Sequence, residues 1–408
     1  MKILYLCLHI LQAVPASCIN RDDTGTPKSM YYGNVRRSRI SSQALKRAAR
    51  MYMQKKYGDT GVRTKQIVAL FTERLVDEAA KLAATSEKMA ISKKDAKEVV
   101  KTVLAKAKIT ADTDKKNMIA FYSKRQLEAL FAILLEAYKS VKEQNPDIAG
   151  LTEAEEQKKE EEKKNTKSKK SADEKEDKDQ EPAKKDSPLA EAVKEAAVDK
   201  LKEAVVMNPS ESQLLFGRMF ATDPNFNYDA AAQVAHAFSV NLVADESDYF
   251  TAVGDLKIEE SSQGSEHLDT KLYNSGVLYR FADVNLSDGT ELRKPRHNVD
   301  AADAAVHFLE AFVKSMPTGS INSYANVTLP DKVIVELRED QPVNYCPAFL
   351  NVVEGDRILD DAYDRMLKYQ EWVTDNYGGS ACKWVLGDMP FNDICDQVKK
   401  EINDRISS

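Results

Sequence analysis

Between Thr24 and Gly58 the chain carries nine basic residues and no acidic one, although its net charge is −6. They are Lys28, Arg36, Arg37, Arg39, Lys46, Arg47, Arg50, Lys55 and Lys56, with the pair Tyr31 and Tyr32 among them. Cations gathered without carboxylates hold anions, and against an acidic whole they point to a groove for a polyanion rather than to general adhesion to nucleic acid. Composition alone would equally fit a solvated charged face. Spacing separates the two. After Ser41 and Ser42, either of which suits an N-cap, Leu45, Ala48, Ala49 and Tyr52 form one apolar helical stripe. Gln43, Lys46, Arg47 and Arg50 fall opposite, with Lys46 and Arg50 one turn apart. Two cations can then reach consecutive phosphates while the helix stays docked on a core. Arg36, Arg37 and Arg39 precede it as a short strand or loop, adding donors that carry no base specificity.

Other chemistry is sparse. His9, His236, His267, His297 and His307 show no ligand spacing, and isolated histidines are expected to be structural. No nucleophile elbow, Walker A or dinucleotide glycine run occurs. Five cysteines, odd in number and without C-x-x-C, indicate neither a disulfide framework nor a zinc ribbon, and a reducing cytoplasm fits. No metal or cofactor is expected. One acidic pair stands out: Asp22 and Asp23 could hold Mg²⁺ for phosphodiester chemistry. An aspartate beside Arg21 in a turn more commonly forms a salt bridge or a cap.

These side chains need a scaffold, and 408 residues with 42% hydrophobic content can bury a sizeable core. The apolar run Ile3 to Leu11 followed by Ala16-Ser17-Cys18 imitates a signal peptide. A single Lys2, the interruptions at His9 and Gln12, and Pro15 argue instead for a buried first strand. No segment reaches the roughly 18 apolar residues of a membrane span, so a soluble globular protein is expected. Residues 57–207 read as a helical block, with a capping box at Ser123-Lys124-Arg125-Gln126 ahead of a stripe from Leu127 to Tyr138. Within it, 24 of the 34 residues from 153 to 186 are Asp, Glu or Lys, which reads as a solvated loop. Beyond Pro209, Leu214 to Met219 and Val234 to Val243 read as strands joined as a hairpin. The second could also be a short helix opened by Asp229. Gly276 to Val284 and Lys332 to Leu337 read as strands around a helix from Val299 to Lys314, and Asp356 to Ser408 as further helix. The order predicts an α+β fold with a ferredoxin-like, RRM-like sheet interrupted twice.

The run Ser17-Cys18-Ile19-Asn20-Arg21-Asp22-Asp23, followed by Arg36-Arg37-Ser38-Arg39-Ile40-Ser41-Ser42-Gln43-Ala44-Leu45-Lys46-Arg47-Ala48, resembles the CasC-type backbone subunits (Cas-seven family) of the type I-E CRISPR Cascade complex. Phe216 to Met219, Gln233 to Phe238, Asp248 to Val253, Ser275 to Arg280, and Pro317-Thr318-Gly319 with Asn322-Ser323 follow in the family's order. The resemblance implies an RRM-like palm (1–56, 208–243 and 273–408), a helical finger insertion (57–207) and a thumb hairpin (244–272). It implies copies stacked head to tail along a guide RNA, beside other Cascade subunits, with target DNA reached through the guide. Asn20, Arg21, Lys28, Arg36, Arg37, Arg39, Ser42, Gln43, Lys46, Arg47 and Arg50 are then the candidate RNA contacts, with Lys28, Lys46 and Arg50 on guide phosphates. Met219 would pack beside a base, and Tyr249 with Phe250 would wedge into the guide ahead of a flexible tip at Ser261 to Ser265. No base-edge code is needed, since a backbone subunit must accept any guide. A non-catalytic scaffold is the expectation. Two alternatives are weighed: an endoribonuclease using Asp22 and Asp23, as in related type III subunits, and a helical interaction protein built on 57–207.

Overall fold

The computed structural model describes residues 2–59, 61–110, 119–148, 186–252 and 267–407. The chain divides into two compact units, one of Met1–Asp59, Leu214–Gly217 and Asp229–Ser408, the other of Thr60–Gln213 and Arg218–Tyr228. The charged run, apart from Asp186, and the hairpin tip at Ser261 to Ser265 lie outside the described residues.

The first unit is built on an antiparallel sheet around β1 (Tyr5–Ser17). Leu6 to Leu11 are all buried. A strand covered on both faces reads as a continuous apolar run rather than an alternating one. Cys7 and Leu11 join a core with Tyr279, Phe281, Ile334, Phe349, Met366 and Val373. Residues 6, 8 and 10 alternate to the opposite face. The run that imitates a signal peptide is therefore a central strand, bonded to β10 (Lys332–Arg338) on one edge and β9 (His267–Asn285) on the other. His9 is structural, stacked on Tyr345 at 3.9 Å and 3.5 Å from Glu336.

Helix α1 (Ser42–Tyr57) follows β1 by way of β2 (Ser29–Tyr32) and β3 (Val35–Ile40). The sheet order is β11 (Cys382–Val385), β10, β1, β9, β7 (Ala237–Ser239), β3 and β2, with β6 (Ala232–Val234) also on β9. Its central four strands thus run fourth, first, third, second in chain order. The first part of β9 instead pairs with β8 (Glu246–Ala252) as a two-stranded ribbon, from Glu246 against Tyr273 to Ala252 against His267.

Two expectations fail here. Leu214 to Phe216 are helical, within Glu211–Phe216, so the first strand of the expected hairpin does not form. Ser210 and Gln213 explain it: the Ser210 amide donates to the Gln213 side chain at 2.8 Å and the Gln213 amide to Ser210 Oγ at 3.3 Å. This reciprocal cap starts a helix despite the apolar run behind it. The C-terminal stretch is not all helix either, because β11 extends the sheet beside β10, between helices Ile358–Tyr377 and Phe391–Ser407. The helix expected from Val299 is Ala301–Lys314, capped by Asp300, with Ala305, Phe308, Leu309 and Phe312 buried.

The second unit packs helices Ile67–Ala83, Lys93–Lys106, Lys124–Gln144 and Pro188–Ala204 around Phe71, Leu75, Val103, Leu130, Phe131, Tyr138 and Leu201. The Ser123–Gln126 capping box forms as expected. Gln126 is also buried, its amide donating to the Val205 and Met207 carbonyls. The block is not purely helical: β4 (Gly61–Thr64) pairs with β5 (Ala120–Ser123).

Candidate nucleic-acid interface

Helix α1 owes its register to both ends. Ser41, not Ser42, is the N-cap, its hydroxyl accepting from the Ala44 amide at 3.4 Å. The Asn20 side-chain oxygen accepts from the Ser41 amide at 2.9 Å, so the loop after β1 is tied to the helix start. Gly58, at φ 67°, closes the other end in the left-handed region that favours glycine. Leu45, Ala49 and Met53 are buried, while Ala48 and Tyr52 are half-buried. On the rest of the surface Gln43 and Arg47 are exposed, and Lys46 and Arg50 are half-buried one turn apart. The first turn carries no acidic residue, leaving the positive end of the helix dipole unneutralised there. The charge of Lys46 is felt by Asp283, a buried carboxylate that burial pushes up to about 7 and Lys46 draws the other way.

The loop and strand preceding α1 supply a second set of donors. The Lys28 amide donates to the Asn20 carbonyl at 2.8 Å, and the Arg39 amide to the Lys28 carbonyl at 2.9 Å. A small cleft opens between Ile19, Asn20, Ser38, Arg39, Asn274 and Gly276. Gly319 backs the loop so closely that a Cβ there would stand 2.1 Å from the Ile19 carbonyl oxygen. Only glycine fits that approach. Arg39 donates toward His236 Nδ1 at 3.3 Å, and its buried Nε finds no partner among the described residues. His236 is exposed, one residue before β7, whose Ala237 pairs with Ile40 of β3. Only that register brings it beside Arg39, and nothing in residue spacing announces it.

Several candidates have other occupations. Arg37 is enclosed, its guanidinium donating to the carbonyls of Tyr32 (3.4 Å), Ser239 (3.2 Å), Val240 and Phe349 (3.1 Å). Those carbonyls hold the Arg37 side chain inside the core. Arg36 is matched by Asp245 at 2.5 Å and also donates to Ser29. Lys56 is bound to Glu310 together with Tyr52, Tyr57 and Lys314. Arg21 is exposed and forms an isolated bridge to Pro27.

Asp22 caps its own turn, Oδ1 accepting from the Thr24 amide (3.0 Å), the Thr24 hydroxyl (2.7 Å) and the Thr26 amide (2.9 Å). Those bonds hold its carboxyl below the usual carboxylate range. Among the described residues no cluster of three or more His, Cys, Asp or Glu could hold a metal.

Tyr249 and Phe250 lie side by side on β8 and so face opposite ways. Tyr249 is 64% exposed, whereas Phe250 is half-buried beneath Lys271, whose ammonium sits 4.8 Å from the ring centre. Met219 belongs to the second unit, 69% exposed between the buried Arg218 and Phe220.

Two solved structures share this fold. The chain is similar to a chain of a "CRISPR RNA-guided surveillance complex, pre-nicking" at 27% identity and TM-score 0.67, over 92% of this chain and 90% of that one. A chain of a "CRISPR RNA-guided surveillance complex" matches at 22% identity and TM-score 0.62, over 93% and 91%. None of the curated proteins matches. The family model of the CT1975-like proteins matches residues 6–404, nearly the full length, and the chain belongs to that family.

Proposed function

We propose that this protein is the guide-RNA-binding backbone subunit of a CRISPR surveillance complex of type I-E. The observation that carries the reading is the row of Lys46, Arg47 and Arg50 on the unburied side of α1, with no acidic residue in the helix's first turn and with Lys28 and Arg39 in the loop and strand that lead into it. The 27%-identical chain from a surveillance complex supports it. Such a surface grips phosphates without reading bases, which lets one protein accept any guide. In this reading the fourth-first-third-second strand order is an RRM-like palm, copies stack head to tail along the guide, and other subunits and target DNA join through that assembly. The β8–β9 ribbon is the thumb, and Tyr249 is its stacking face. The protein acts in the cytoplasm, needs no cofactor and performs no catalysis; the turn-capping role of Asp22 favours this over a ribonuclease. The experiment is purification with mass analysis of bound nucleic acid. Uncleaved RNA of uniform guide length is expected, and its absence from otherwise folded protein would sink the proposal.

A further inference from the structure

We infer that His236 is an additional phosphate-binding residue of this groove and makes its grip on RNA proton-linked. The inference rests on the RNA-binding reading above. His236 is exposed at the step between β6 and β7, where the Ala235 amide donates to the Phe281 carbonyl and the strand turns outward before pairing with β3. Arg39 lies 3.3 Å from its Nδ1. For Arg39 to donate there, Nδ1 must carry a lone pair, so the proton of the neutral ring sits on Nε2. The imidazole is thus fixed by a groove cation, with its other nitrogen left as a donor. Burial, Arg39 and Lys28 all hold its pKa below the ordinary 6.5, these two being the charged groups whose field reaches it among the described residues.

An arriving phosphate reverses that balance. One phosphate between Lys28, Arg39 and His236 would offset both cations. The cost of a second positive charge on the ring then falls, and the bound-state pKa of His236 rises above that of the free state. Linkage fixes the sign: affinity is at its baseline well above the bound-state pKa, and grows as pH falls through it. It levels off below the free-state pKa, which lies under 6.5. A bound-state rise of one unit corresponds to a gain of about tenfold at most.

Asp283 is the rival source of such a slope, because burial pushes its carboxyl up to about 7 and the Lys46 charge draws it the other way. The test therefore compares the wild type, His236→Gln and Asp283→Asn in filter binding to radiolabelled oligouridine, whose bases do not ionise between pH 5.5 and pH 8, at constant salt. Wild type and Asp283→Asn should tighten about three- to tenfold from pH 8 to pH 5.5. His236→Gln, folded by its melting curve, should bind no more tightly than wild type at pH 8 and show no gain at pH 5.5. The salt dependence of wild type should also steepen by about 0.7 at pH 5.5, as one more cation meets a phosphate. A pH-independent affinity in the wild type, or a gain that survives in His236→Gln or vanishes in Asp283→Asn, overturns the assignment while leaving RNA binding intact. No binding at either pH removes the RNA-binding reading itself and this inference with it.

Discussion

At the C-terminal end of α1, Lys56 sits on Glu310 together with Tyr52, Tyr57 and Lys314, and that carboxylate is almost wholly enclosed. Two to three turns earlier, Arg47 projects to solvent, and Lys46 and Arg50 are only half-buried. The same residue types on one helix are thus divided between fastening it and presenting it. The fastening partner lies far along the chain: Glu310 reaches back over more than 250 residues to Lys56. Counting basic residues cannot see that difference, whereas removing the carboxylate exposes it.

Glu310→Ala should therefore cause the largest loss. It would remove the acceptor shared by two partly exposed ammonium groups and two tyrosine hydroxyls, and hydrogen bonds to a charged group contribute about 1.5–3 kcal/mol each. The melting temperature should drop by several degrees while the RNA salt slope of whatever remains folded is unchanged. Acid should reproduce the effect. Burial pushes the Glu310 carboxyl up, but bonds from Lys314, Lys56, Tyr57 and Tyr52 outweigh it and hold the pKa at about 2, against an ordinary 4.5. A depressed folded-state pKa stabilises above the ordinary value, and the contribution is lost as pH falls from there toward 2. Acid titration of wild type should show that loss, and Glu310→Ala should lack it.

Strand β3 repeats the comparison within three residues. Arg37→Met should destabilise by about 2–4 kcal/mol, since the carbonyls of Ser239, Val240 and Phe349 lose their donor inside the core. Arg39→Met should shift stability by less than about 0.5 kcal/mol and instead weaken RNA binding. Equal melting losses in the two variants would erase the distinction between core and groove arginines.

How far these roles were legible depends on the range of the interaction that sets them. Local signals were readable: the Ser123–Gln126 cap, the helical stripe of α1 and the doubly buried β1 all follow from neighbouring residues. The Ser210–Gln213 cap is a signal of the same local kind, and it prevails over the apolar run behind it. Roles fixed by distant partners were not readable. Arg37 depends on carbonyls about 200 and 312 residues away, and His236 acquires Arg39 only through strand pairing. Asp22 lay in between: a metal site and a turn cap both suit its neighbours, and its Oδ1 accepts from the turn's own amides.

On the presenting side of α1, Lys46→Ala with Arg50→Ala should weaken oligonucleotides of different sequence by similar factors. The salt dependence should flatten by about 0.7 for each phosphate that no longer meets a cation. Binding measured from low to moderate salt gives the slope, and an unchanged slope would return both residues to the solvated surface.

The β8 strand offers the finest version of the contrast, with two adjacent aromatics on opposite faces. Tyr249 is exposed and Phe250 lies under Lys271, so a base can stack on the first without disturbing the fold. Tyr249→Ala should cost about 1–3 kcal/mol of RNA binding per stack and leave the melting curve in place. Phe250→Ala should cost less in binding and more in stability, because it removes the half-buried ring on which Lys271 rests. Chemical probing of assembled guide adds a second readout: wild type should show reactive nucleotides at a regular interval, a period weakened in Tyr249→Ala and kept in Phe250→Ala. If the two variants behave alike, or the wild-type profile is uniform, the ribbon is not a wedge and Tyr249 is a solvated strand residue.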